Sequence, residues 1–380
     1  MYKALNKMKG MNCIMIIGIL KESDGRAVIV PSDIPNLLKS NKVLFEKGLG
    51  SKIGYSDSEY VAKGAVCKSK EEIWESSDVL LKYKAPTEED YRYFKKDKVF
   101  MGLMHPEGNP RLLEEFNNSR MTTYSFEYFR TESGIFPLGA AGGEIAGNMA
   151  VMYANHFLQS HYGGTGRSLF GVSGVEPTKV LVIGAGHVGL STIRALLRLG
   201  NEVFVTARDY DRLKKLSIAF GTSRLKVIRL KSTEFYSILK EVDAIFGAIL
   251  ISTDETPAVL TGKDISKMKK GSIVVDITSG YGRGYLPSLN RKTSLLNPVN
   301  KTETGQLYIK IDNLPSAYPR TSSDAYSHQL CQYIDEILTH ISEREISYFV
   351  ESGKITSNGN IVHQGVRHDL EYIGVESDCD

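Results

Sequence analysis

The sequence is poor in cysteine and carries little net charge. Its four cysteines are scattered, with no C-x-x-C pair, at positions Cys13, Cys67, Cys331 and Cys379. This spacing argues against a disulfide framework and against a zinc or other metal site, and it predicts reduced thiols in the cytoplasm. The net charge of +3, without long blocks of either sign, argues against a nucleic acid or an anionic membrane as partner. No segment approaches the roughly 20 consecutive apolar residues that a transmembrane helix needs.

The remaining composition is that of an ordinary globular protein. Apolar residues make up 42% and charged residues 24% of the 380 residues, which predicts a sizeable core and favours two domains. Near the N-terminus, lysines precede an apolar run at 13–20, an arrangement that faintly resembles a signal peptide. The charged segment 21–24 follows instead of a small-residue cleavage site, so we predict that the run is the first strand. Residues 1–10 are then either a flexible extension or the result of a mis-assigned start before Met11.

The segment Lys179–Asp209 is the most informative part of the sequence. An apolar strand leads into a glycine-rich turn, an apolar-periodic helix follows to Leu199, and a second strand runs from Val203 to Thr206. This is the context in which G-x-G-x-x-G predicts dinucleotide binding, with the pyrophosphate on the helix N-terminus. The cofactor-binding candidates in the turn are Gly184, Ala185, Gly186, His187, Val188 and Gly189.

The end of the second strand distinguishes between the two nicotinamide cofactors. Enzymes selective for NAD usually carry an acidic residue there, which accepts a hydrogen bond from the ribose 2′-OH. Here Ala207 occupies that position and Arg208 follows, and a guanidinium suits a 2′-phosphate. The alternative is that Asp209 binds the ribose and Arg208 is a solvated loop residue. We therefore predict NADP as the cofactor, with NAD as the second choice.

The first third of the chain predicts a second α/β unit. Short apolar strands alternate with helix-like segments, which is typical of a parallel sheet covered by helices. The predicted strands are Ile14–Ile19, Lys42–Glu46, Val79–Tyr83, Val99–Leu103 and Met121–Ser125, separated by helix-like segments at 31–40, 56–63, 70–76 and 110–118. A long helix-like stretch at 143–159 leads into the nucleotide unit. The glycine-rich segment 163–166 after it is compatible equally with a mobile flap and with a simple loop.

Three residues in this first part suit a 2-oxo acid substrate. Arg26 follows the first strand, Lys84 ends another strand, and His105 follows a third. Ligands of open α/β sheets bind where the strands end. Two cations can neutralise a carboxylate and polarise the adjacent carbonyl, and a histidine titrates in the range that proton transfer requires. Each residue taken alone is also compatible with an ordinary structural role, so it is the combination that favours a site.

The combination resembles the alanine dehydrogenase and pyridine nucleotide transhydrogenase family from about residue 14 onward. The similar segments are Gly18–Glu22 with Arg26 and Pro31, Val79–Pro86, Met101–His105, Gly142–Gly147, Gly163–Val175, Gly247–Leu250, Val274–Ile277, Asp312–Pro315 and Pro319–Ser322.

That resemblance implies a fold, a set of roles and an assembly. It implies an α/β protein of two domains, with a Rossmann domain at 141–317 inserted between the two parts of a substrate domain, 11–140 and 318–380. Arg26 and Lys84 would hold the 2-oxo acid, with Lys82 as a second candidate for the lysine. His105 would be the general acid and base. Ile249, Leu250 and Asn313 would line the nicotinamide, and the protein would form a homo-oligomer.

One departure from the family pattern leaves the reaction open. Alanine dehydrogenases carry an aspartate after the Val-Asp-Ile strand, and Gly280 stands at that position here. The sequence favours an amino-acid dehydrogenase that interconverts a 2-amino acid and a 2-oxo acid such as pyruvate. The alternatives are an NADPH-dependent condensation of pyruvate with an amino acid, as in carboxyethyl-ornithine synthases, and an inactive NADP-binding regulator.

Overall fold

The computed structural model describes residues 14–39, 41–249, 259–277, 292–342 and 345–367. The chain divides into two compact units, one of Met1–Ala141 with Tyr318–Asp380 and one of Gly142–Ala317. Among the described helices, none is long and apolar enough to cross a membrane. The predicted flexible extension at 1–10 lies outside the described residues.

The first unit is built on an eight-stranded sheet in the order β15-β14-β6-β5-β4-β1-β2-β3. The six strands β1 to β6 are all parallel to one another, and β14, which pairs antiparallel with β6, and β15 add an antiparallel edge. These strands are β1 (Ile16–Ile19), β2 (Lys42–Glu46), β3 (Val66–Lys68), β4 (Val79–Lys84), β5 (Val99–Leu103), β6 (Thr122–Ser125), β14 (Lys354–Ser357) and β15 (Asn360–Ile361).

Helices cover both faces of this sheet. Two of them begin with capping boxes, in which Ser56 and Glu59, and likewise Ser69 and Glu72, exchange side-chain and backbone hydrogen bonds, so that the free N–H groups of the first turn are satisfied. The helices of the unit are α1 (Ile34–Leu38), α2 (Asp57–Ala62), α3 (Lys70–Ser76), α4 (Pro110–Ser119), α10 (Pro319–Cys331), α11 (Ile334–Ile341) and α12 (Tyr348–Glu351).

The second unit has a seven-stranded sheet in the order β12-β13-β11-β10-β7-β8-β9. All pairs are parallel except β12 with β13, and the parallel strands have the order of a Rossmann fold. The strands are β7 (Lys179–Ile183), β8 (Glu202–Thr206), β9 (Leu225–Val227), β10 (Ala244–Gly247), β11 (Ile273–Asp276), β12 (Asn300–Lys301) and β13 (Leu307–Ile309). The helices are α5 (Ala140–Phe157), which begins at the unit boundary, α6 (His187–Arg198), α7 (Tyr210–Phe220), α8 (Thr233–Ile238) and α9 (Gly262–Ile265).

The glycine-rich segment after α5 is a packed loop. The Thr165 amide donates to Gly271 O at 3.1 Å and the Gly166 amide donates to Leu158 O at 2.7 Å. A Cβ on Gly164 would lie 2.3 Å from Phe157 O. Close packing therefore explains Gly164, and left-handed φ angles of 85° and 75° explain Gly163 and Gly166. The backbone hydrogen bonds favour the simple loop over the flap.

Both sheets reverse their strand order once, and each reversal marks a place for a ligand. In the first unit β1 pairs with β2 on one side and with β4 on the other; in the second, β7 pairs with β8 and with β10. Open α/β sheets bind ligands beyond the carboxyl ends of the strands at such a switch point. The fold therefore offers one candidate site in each unit.

Candidate functional site

The predicted substrate residues of the first unit all lie beyond the carboxyl ends of its parallel strands. Arg26 follows β1, Lys84 ends β4 and His105 follows β5, and the next strand, β6, is followed by Glu127. The charges of these groups influence one another: Arg26 and Glu127 both act on the pKa of Lys84, and Lys84 acts on that of His105. The structure thus brings the three predicted residues together and adds a carboxylate to them.

Arg26 is buried and held rigidly. Only 1% of the residue is exposed, and its Nε and Nη2 donate to Asp24 Oδ2 at 3.0 and 2.6 Å. The guanidinium carbon lies 4.1 Å from the centre of the Tyr83 ring, a cation–π contact. Burial raises the pKa of Asp24, but the hydrogen bonds and charge of Arg26, with a contribution from Lys84, outweigh it and hold that pKa below its ordinary value. The guanidinium is therefore oriented before any substrate arrives.

The two candidate lysines of β4 have different surroundings. Lys82 Nζ is buried and donates to Glu22 Oε2 at 2.7 Å and to Ala85 O at 3.0 Å. For Lys84 Nζ, the described part of the chain offers no carboxylate oxygen within 4 Å. Burial and the nearby charge of Arg26 lower the pKa of Lys84, although Glu127 opposes them. Lys82 is therefore engaged in a structural ion pair, and Lys84 is the lysine available to an anionic ligand.

A bulge in β4 separates these two lysines. The pairing of β4 with β5 shifts register between Leu81 and Lys84, which breaks the alternation that places residues two apart on the same face. Gly102 on β5 makes room for the bulge, because a Cβ there would lie 2.9 Å from Lys84 O and 3.0 Å from Lys82 O. The glycine three residues before His105 thus shapes the lysine strand beside it.

His105 sits in a strained turn between two carboxylates. Its φ of 46° is left-handed, which is uncommon for a residue other than glycine and marks a local constraint. Its backbone amide donates to Glu127 Oε1, and its Nδ1 lies 3.6 Å from Glu127 Oε1 and 3.7 Å from Glu107 Oε1. Burial lowers the pKa of His105, but Glu127 and Glu107 outweigh it, so the pKa lies above its ordinary value. The two carboxylates therefore stabilise the protonated imidazole relative to that of an ordinary histidine.

The glycine turn of the second unit follows β7 and opens α6. Gly184 has φ +109°, and a Cβ there would lie 2.4 Å from Ala248 O, while a Cβ on Gly189 would lie 2.2 Å from Gly184 O. A Cβ on Gly186 would meet no atom within 4 Å, and Gly186 is the N-cap of α6. Two glycines thus allow tight backbone packing, and the third leaves open space at a helix N-terminus, which suits a pyrophosphate. Ala185, His187 and Val188 complete the turn.

Glycines of α5 bring a second helix against this turn. A Cβ on Gly147 would lie 2.7 Å from Val188 O, and one on Gly143 would lie 3.0 Å from the His187 side chain. Ser191 of α6 also donates its hydroxyl to Glu144 O at 2.8 Å. The Gly142–Gly147 segment therefore acts as packing surface for the nucleotide helix.

The end of β8 carries an unpaired arginine. Arg208 is exposed, and among the described residues it has no ion-pair partner. Asp209 Oδ1 accepts a hydrogen bond from the Arg212 amide at 2.9 Å, capping α7. Asp209, the acidic residue that the sequence offered for the ribose, thus already caps a helix, which weakens the alternative that it binds the ribose.

The remaining predicted cofactor residues follow two further strands of this sheet, β10 and β13, on either side of β11. Ile249 lies two residues after the end of β10, where it packs against the apolar cluster beside that strand. Asn313 follows β13 with a left-handed φ of 63°, and its carbonyl accepts from the Ser316 amide and hydroxyl. Leu250 and Gly280 lie outside the described residues.

Comparison with known families covers nearly all of the chain. Residues 18–138 match the family model "Alanine dehydrogenase/PNT, N-terminal domain", and residues 150–368 match "Alanine dehydrogenase/PNT, C-terminal domain". The chain belongs to the alanine dehydrogenase/PNT family. It is therefore an oxidoreductase enzyme, and its two α/β units are those of the family.

Individual members of the alanine dehydrogenase/PNT family are similar over their full length. Alanine dehydrogenase of Bacillus subtilis is 28% identical over 365 residues, which cover 94% of this chain and 95% of that protein. Alanine dehydrogenase of Staphylococcus haemolyticus is 30% identical over 372 residues, covering 95% and 98%. A solved L-alanine dehydrogenase superimposes with a TM-score of 0.84 at 26% identity, covering 94% of this chain and 100% of that one. A transhydrogenase from Sinorhizobium meliloti, with a TM-score of 0.74 and 23% identity over 92% and 99% of the chains, shares the fold.

Four acidic residues of the site were not predicted as site residues from the sequence. Glu22 and Asp24, the partners of Lys82 and Arg26, lie in the same segment as Arg26, and their position between a strand end and that arginine was the available signal. For Glu107, the available signal was its position two residues after His105, in His-Pro-Glu-Gly. Glu127 had no local signal beyond its place after a predicted strand.

His105, Glu107 and Glu127 also form a donor set that could suit a cation. One ligand atom of each lies within 4.8 Å of the others. However, Glu107 Oε2 accepts from the Tyr128 hydroxyl at 2.8 Å, and Glu127 Oε1 accepts from the His105 amide. These hydrogen bonds give both carboxylates a structural role around the histidine, so we interpret them as groups that position it.

Proposed function

We propose that this protein is an NADP-preferring amino-acid dehydrogenase that interconverts a 2-amino acid with its 2-oxo acid and ammonia. The observation that carries the proposal is the convergence of Arg26, Lys84 and His105 at the switch point of the first sheet. Members of the family that are named alanine dehydrogenase and align over 94% or more of this chain support the same reaction, with pyruvate as the 2-oxo acid. A bare nucleotide-binding regulator has no need of these three residues.

Arg26 and Lys84 bind the 2-oxo acid in this proposal. Asp24 and the Tyr83 ring fix the Arg26 guanidinium, which presents forked donors to a carboxylate. The Lys84 ammonium lacks a carboxylate within 4 Å among the described residues, and it is destabilised by burial and by Arg26. An anionic substrate relieves both effects, so carboxylate binding and the polarisation of the adjacent carbonyl are favoured together.

His105 moves the proton. With Glu107 and Glu127 beside Nδ1, that nitrogen is held in its protonated form, which leaves Nε2 to exchange a proton with the substrate. In the reductive direction the imidazolium donates the proton to the substrate oxygen that leaves as water; in the oxidative direction the neutral ring accepts it from the attacking water. The bound nicotinamide supplies or accepts the hydride at carbon 2 of the substrate.

The second unit holds the cofactor. Gly184, Gly186 and Gly189 provide a backbone cradle for the pyrophosphate, since Gly186 faces open space at the α6 N-terminus. Arg208 binds the 2′-phosphate that distinguishes NADP from NAD. Ile249 and Asn313 are proposed to line the nicotinamide, and Leu250 is proposed with them from the sequence alone.

NADPH should bind about 10- to 100-fold more tightly than NADH, because a charge-assisted bond to a phosphate contributes about 1.5–3 kcal/mol. In Arg208→Ala this preference should shrink towards equality through weaker NADPH binding, with NADH affinity unchanged. Titration of each cofactor against the protein gives the four dissociation constants. Arg198→Ala, an exposed arginine in the last turn of α6, is the matched control. NADH binding that equals or exceeds NADPH binding in the unaltered protein would show that Arg208 does not select the cofactor.

The pH profile should report the two carboxylates beside His105. Glu127→Gln keeps an oxygen that can accept from the His105 amide but removes the charge that raises the pKa of the imidazole. The pKa of His105 should therefore fall. In the reductive direction, where the protonated ring is needed, the alkaline loss of kcat/KM should move to lower pH. In the oxidative direction, where the neutral ring is needed, the acidic loss should move to lower pH as well.

Profiles of kcat/KM against pH in both directions measure this shift. Glu132→Gln, an exposed carboxylate of the same unit, should leave both profiles in place. Profiles that move to higher pH in Glu127→Gln, or do not move at all, would show that Glu127 does not raise the pKa of His105.

A second candidate reaction is the reductive condensation of a 2-oxo acid with the amine of an amino acid. Gly280, at the position where alanine dehydrogenases carry an aspartate, favours it, as does His105-Pro106-Glu107-Gly108, which resembles the histidine turn of carboxyethyl-ornithine synthases. The same Arg26, Lys84 and His105 would serve both reactions, so only the amine differs.

The amine can be identified by following NADPH oxidation in the presence of pyruvate. Consumption with ammonium supports the dehydrogenase, and consumption with an amino acid but not ammonium supports the condensation. If neither amine consumes NADPH across a panel of 2-oxo acids, while NADPH still binds, the proposal fails and a non-catalytic nucleotide-binding role takes its place.

A further inference from the structure

Two arginines follow adjacent strands at the carboxyl end of the second sheet, the end where the glycine turn also lies. Arg208 follows β8 and Arg229 follows β9, and these strands are parallel, with Val205 opposite Val227. Each arginine lies two or three residues beyond its paired valine, past the carboxyl end of its strand. Both side chains are exposed. Two exposed arginines therefore lie past adjacent strands, at the carboxyl end where an open α/β sheet binds its ligand.

Arg229 is held in place by an aromatic ring. Its guanidinium carbon lies 4.0 Å from the centre of the Tyr210 ring, within the range of a cation–π contact. Tyr210 is the first residue of α7, directly after the N-cap Asp209. The ring that supports Arg229 is thus anchored two residues after Arg208, which ties the two arginines to the same turn.

Carboxylates do not neutralise these two arginines. Among the described residues, neither has an acidic oxygen within 4 Å, and the nearby Asp209 is engaged in capping α7. The amino ends of the same strands differ, because Lys226 of β9 pairs there with Glu202 of β8, and Lys179 of β7 pairs with Glu241. The lysines at the amino ends of the strands are therefore neutralised, whereas the arginines at the carboxyl ends remain available to an anion.

We propose that Arg229, supported by Tyr210, is the second arginine of a site for the 2′-phosphate of NADP. This inference rests on the proposed NADP preference and adds a specificity residue to it from a different strand. Two guanidinium groups can share a phosphate dianion, each with forked donors. Ala207, in place of the acidic residue typical of NAD enzymes, leaves that space free of a repelling carboxylate.

Calorimetric titration with adenosine 2′,5′-bisphosphate and with adenosine 5′-monophosphate tests the site without turnover. The unaltered protein should bind the bisphosphate more tightly. Arg229→Ala should lower bisphosphate affinity about 10- to 100-fold and leave monophosphate affinity unchanged, because only the 2′-phosphate contact is lost. Arg224→Ala, an exposed arginine before β9 at the opposite edge, should change neither affinity.

Two further variants test the role of the ring. Tyr210→Phe keeps the aromatic face and should bind the bisphosphate as the unaltered protein does. Tyr210→Leu removes that face and should weaken bisphosphate binding in the same direction as Arg229→Ala, but by less. Equal losses in both variants would assign the effect to the tyrosine hydroxyl and overturn the supporting role of the ring.

The outcomes separate this inference from the proposed function. If the unaltered protein binds both nucleotides equally, the NADP preference fails, and Arg229 loses its assignment with it. If the bisphosphate is preferred and Arg208→Ala removes the preference while Arg229→Ala does not, the NADP preference stands and the assignment of Arg229 alone is overturned.

Discussion

His105→Asn should lower kcat about 10²- to 10⁴-fold, the usual contribution of a positioned acid or base, and leave NADPH affinity unchanged. Asparagine accommodates the left-handed backbone of residue 105 better than most residues do, so the loss reports the missing proton transfer and not a refolded turn. The glycine turn that is proposed to bind the cofactor belongs to the other unit. Steady-state kinetics and an NADPH titration on the same preparation give both quantities.

A second histidine of the same unit provides the control for this variant. His328 of α10 is exposed, and its ring lies 3.6 Å from Asp33. His328→Asn should therefore retain the activity of the unaltered protein. If His105→Asn also retains kcat, His105 is a structural turn residue and the proposed acid–base role is wrong.

Arg26→Lys should raise the KM for the 2-oxo acid about 10- to 100-fold although the charge is conserved. Lysine cannot reproduce the fork that Asp24 and the Tyr83 ring hold in place, and the loss of one charge-assisted bond costs about 1.5–3 kcal/mol. The KM for the amine should stay within the error of the measurement. The comparison is a pair of KM values, for pyruvate and for the amine, in each protein.

Arg111→Lys is the matched control, because Arg111 is exposed and pairs with Glu88. It should change neither KM. If Arg26→Lys alters only the KM of the amine, or neither value, Arg26 does not bind the carboxylate, and the assignment of the first unit to the 2-oxo acid loses its main support. Thermal unfolding of Arg26→Lys shows whether loss of the buried ion pair with Asp24 has also destabilised the unit.

The nucleotide turn could be predicted from sequence because its physical requirements are local. A strand, three spaced glycines and an apolar helix lie within about 30 consecutive residues, the length of one βαβ unit, and the fold class was confirmed. The same reasoning located most strands of the first sheet. Shorter strands such as β3 and β9 have three residues each, too few for an alternating pattern to be recognised.

The surroundings of the site residues could not be predicted, because they depend on contacts between distant segments. Lys82 and Lys84 are two residues apart and alternation predicts one shared face, yet the bulge opposite Gly102 separates them. The carboxylate that binds Lys82 comes from Glu22, sixty positions away in the sequence. Such pairings exist only once the sheet has formed.

The strand pairing in the C-terminal part of the first unit could not be predicted from sequence either. β14 joins the sheet beside β6, where the hydroxyls of Thr356 and Thr123 lie 2.8 Å apart across 233 residues of sequence. Local patterns in residues 354–361 indicate short strands but not their partner. The family resemblance placed residues 318–380 in the first unit, but neither it nor periodicity gave β6 as the neighbour of β14.

The central claim is that this chain transfers hydride between a nicotinamide cofactor and carbon 2 of an amino acid. The most direct test is incubation with NADPH carrying deuterium at both C4 positions, together with pyruvate and ammonium, followed by mass spectrometry of the product. We expect alanine with one deuterium at carbon 2, formed about 10²- to 10⁴-fold more slowly by His105→Asn. If no product carries deuterium at carbon 2 with any of a panel of 2-oxo acids, and with either ammonium or an amino acid as the amine, in folded protein that binds NADPH, the account is contradicted.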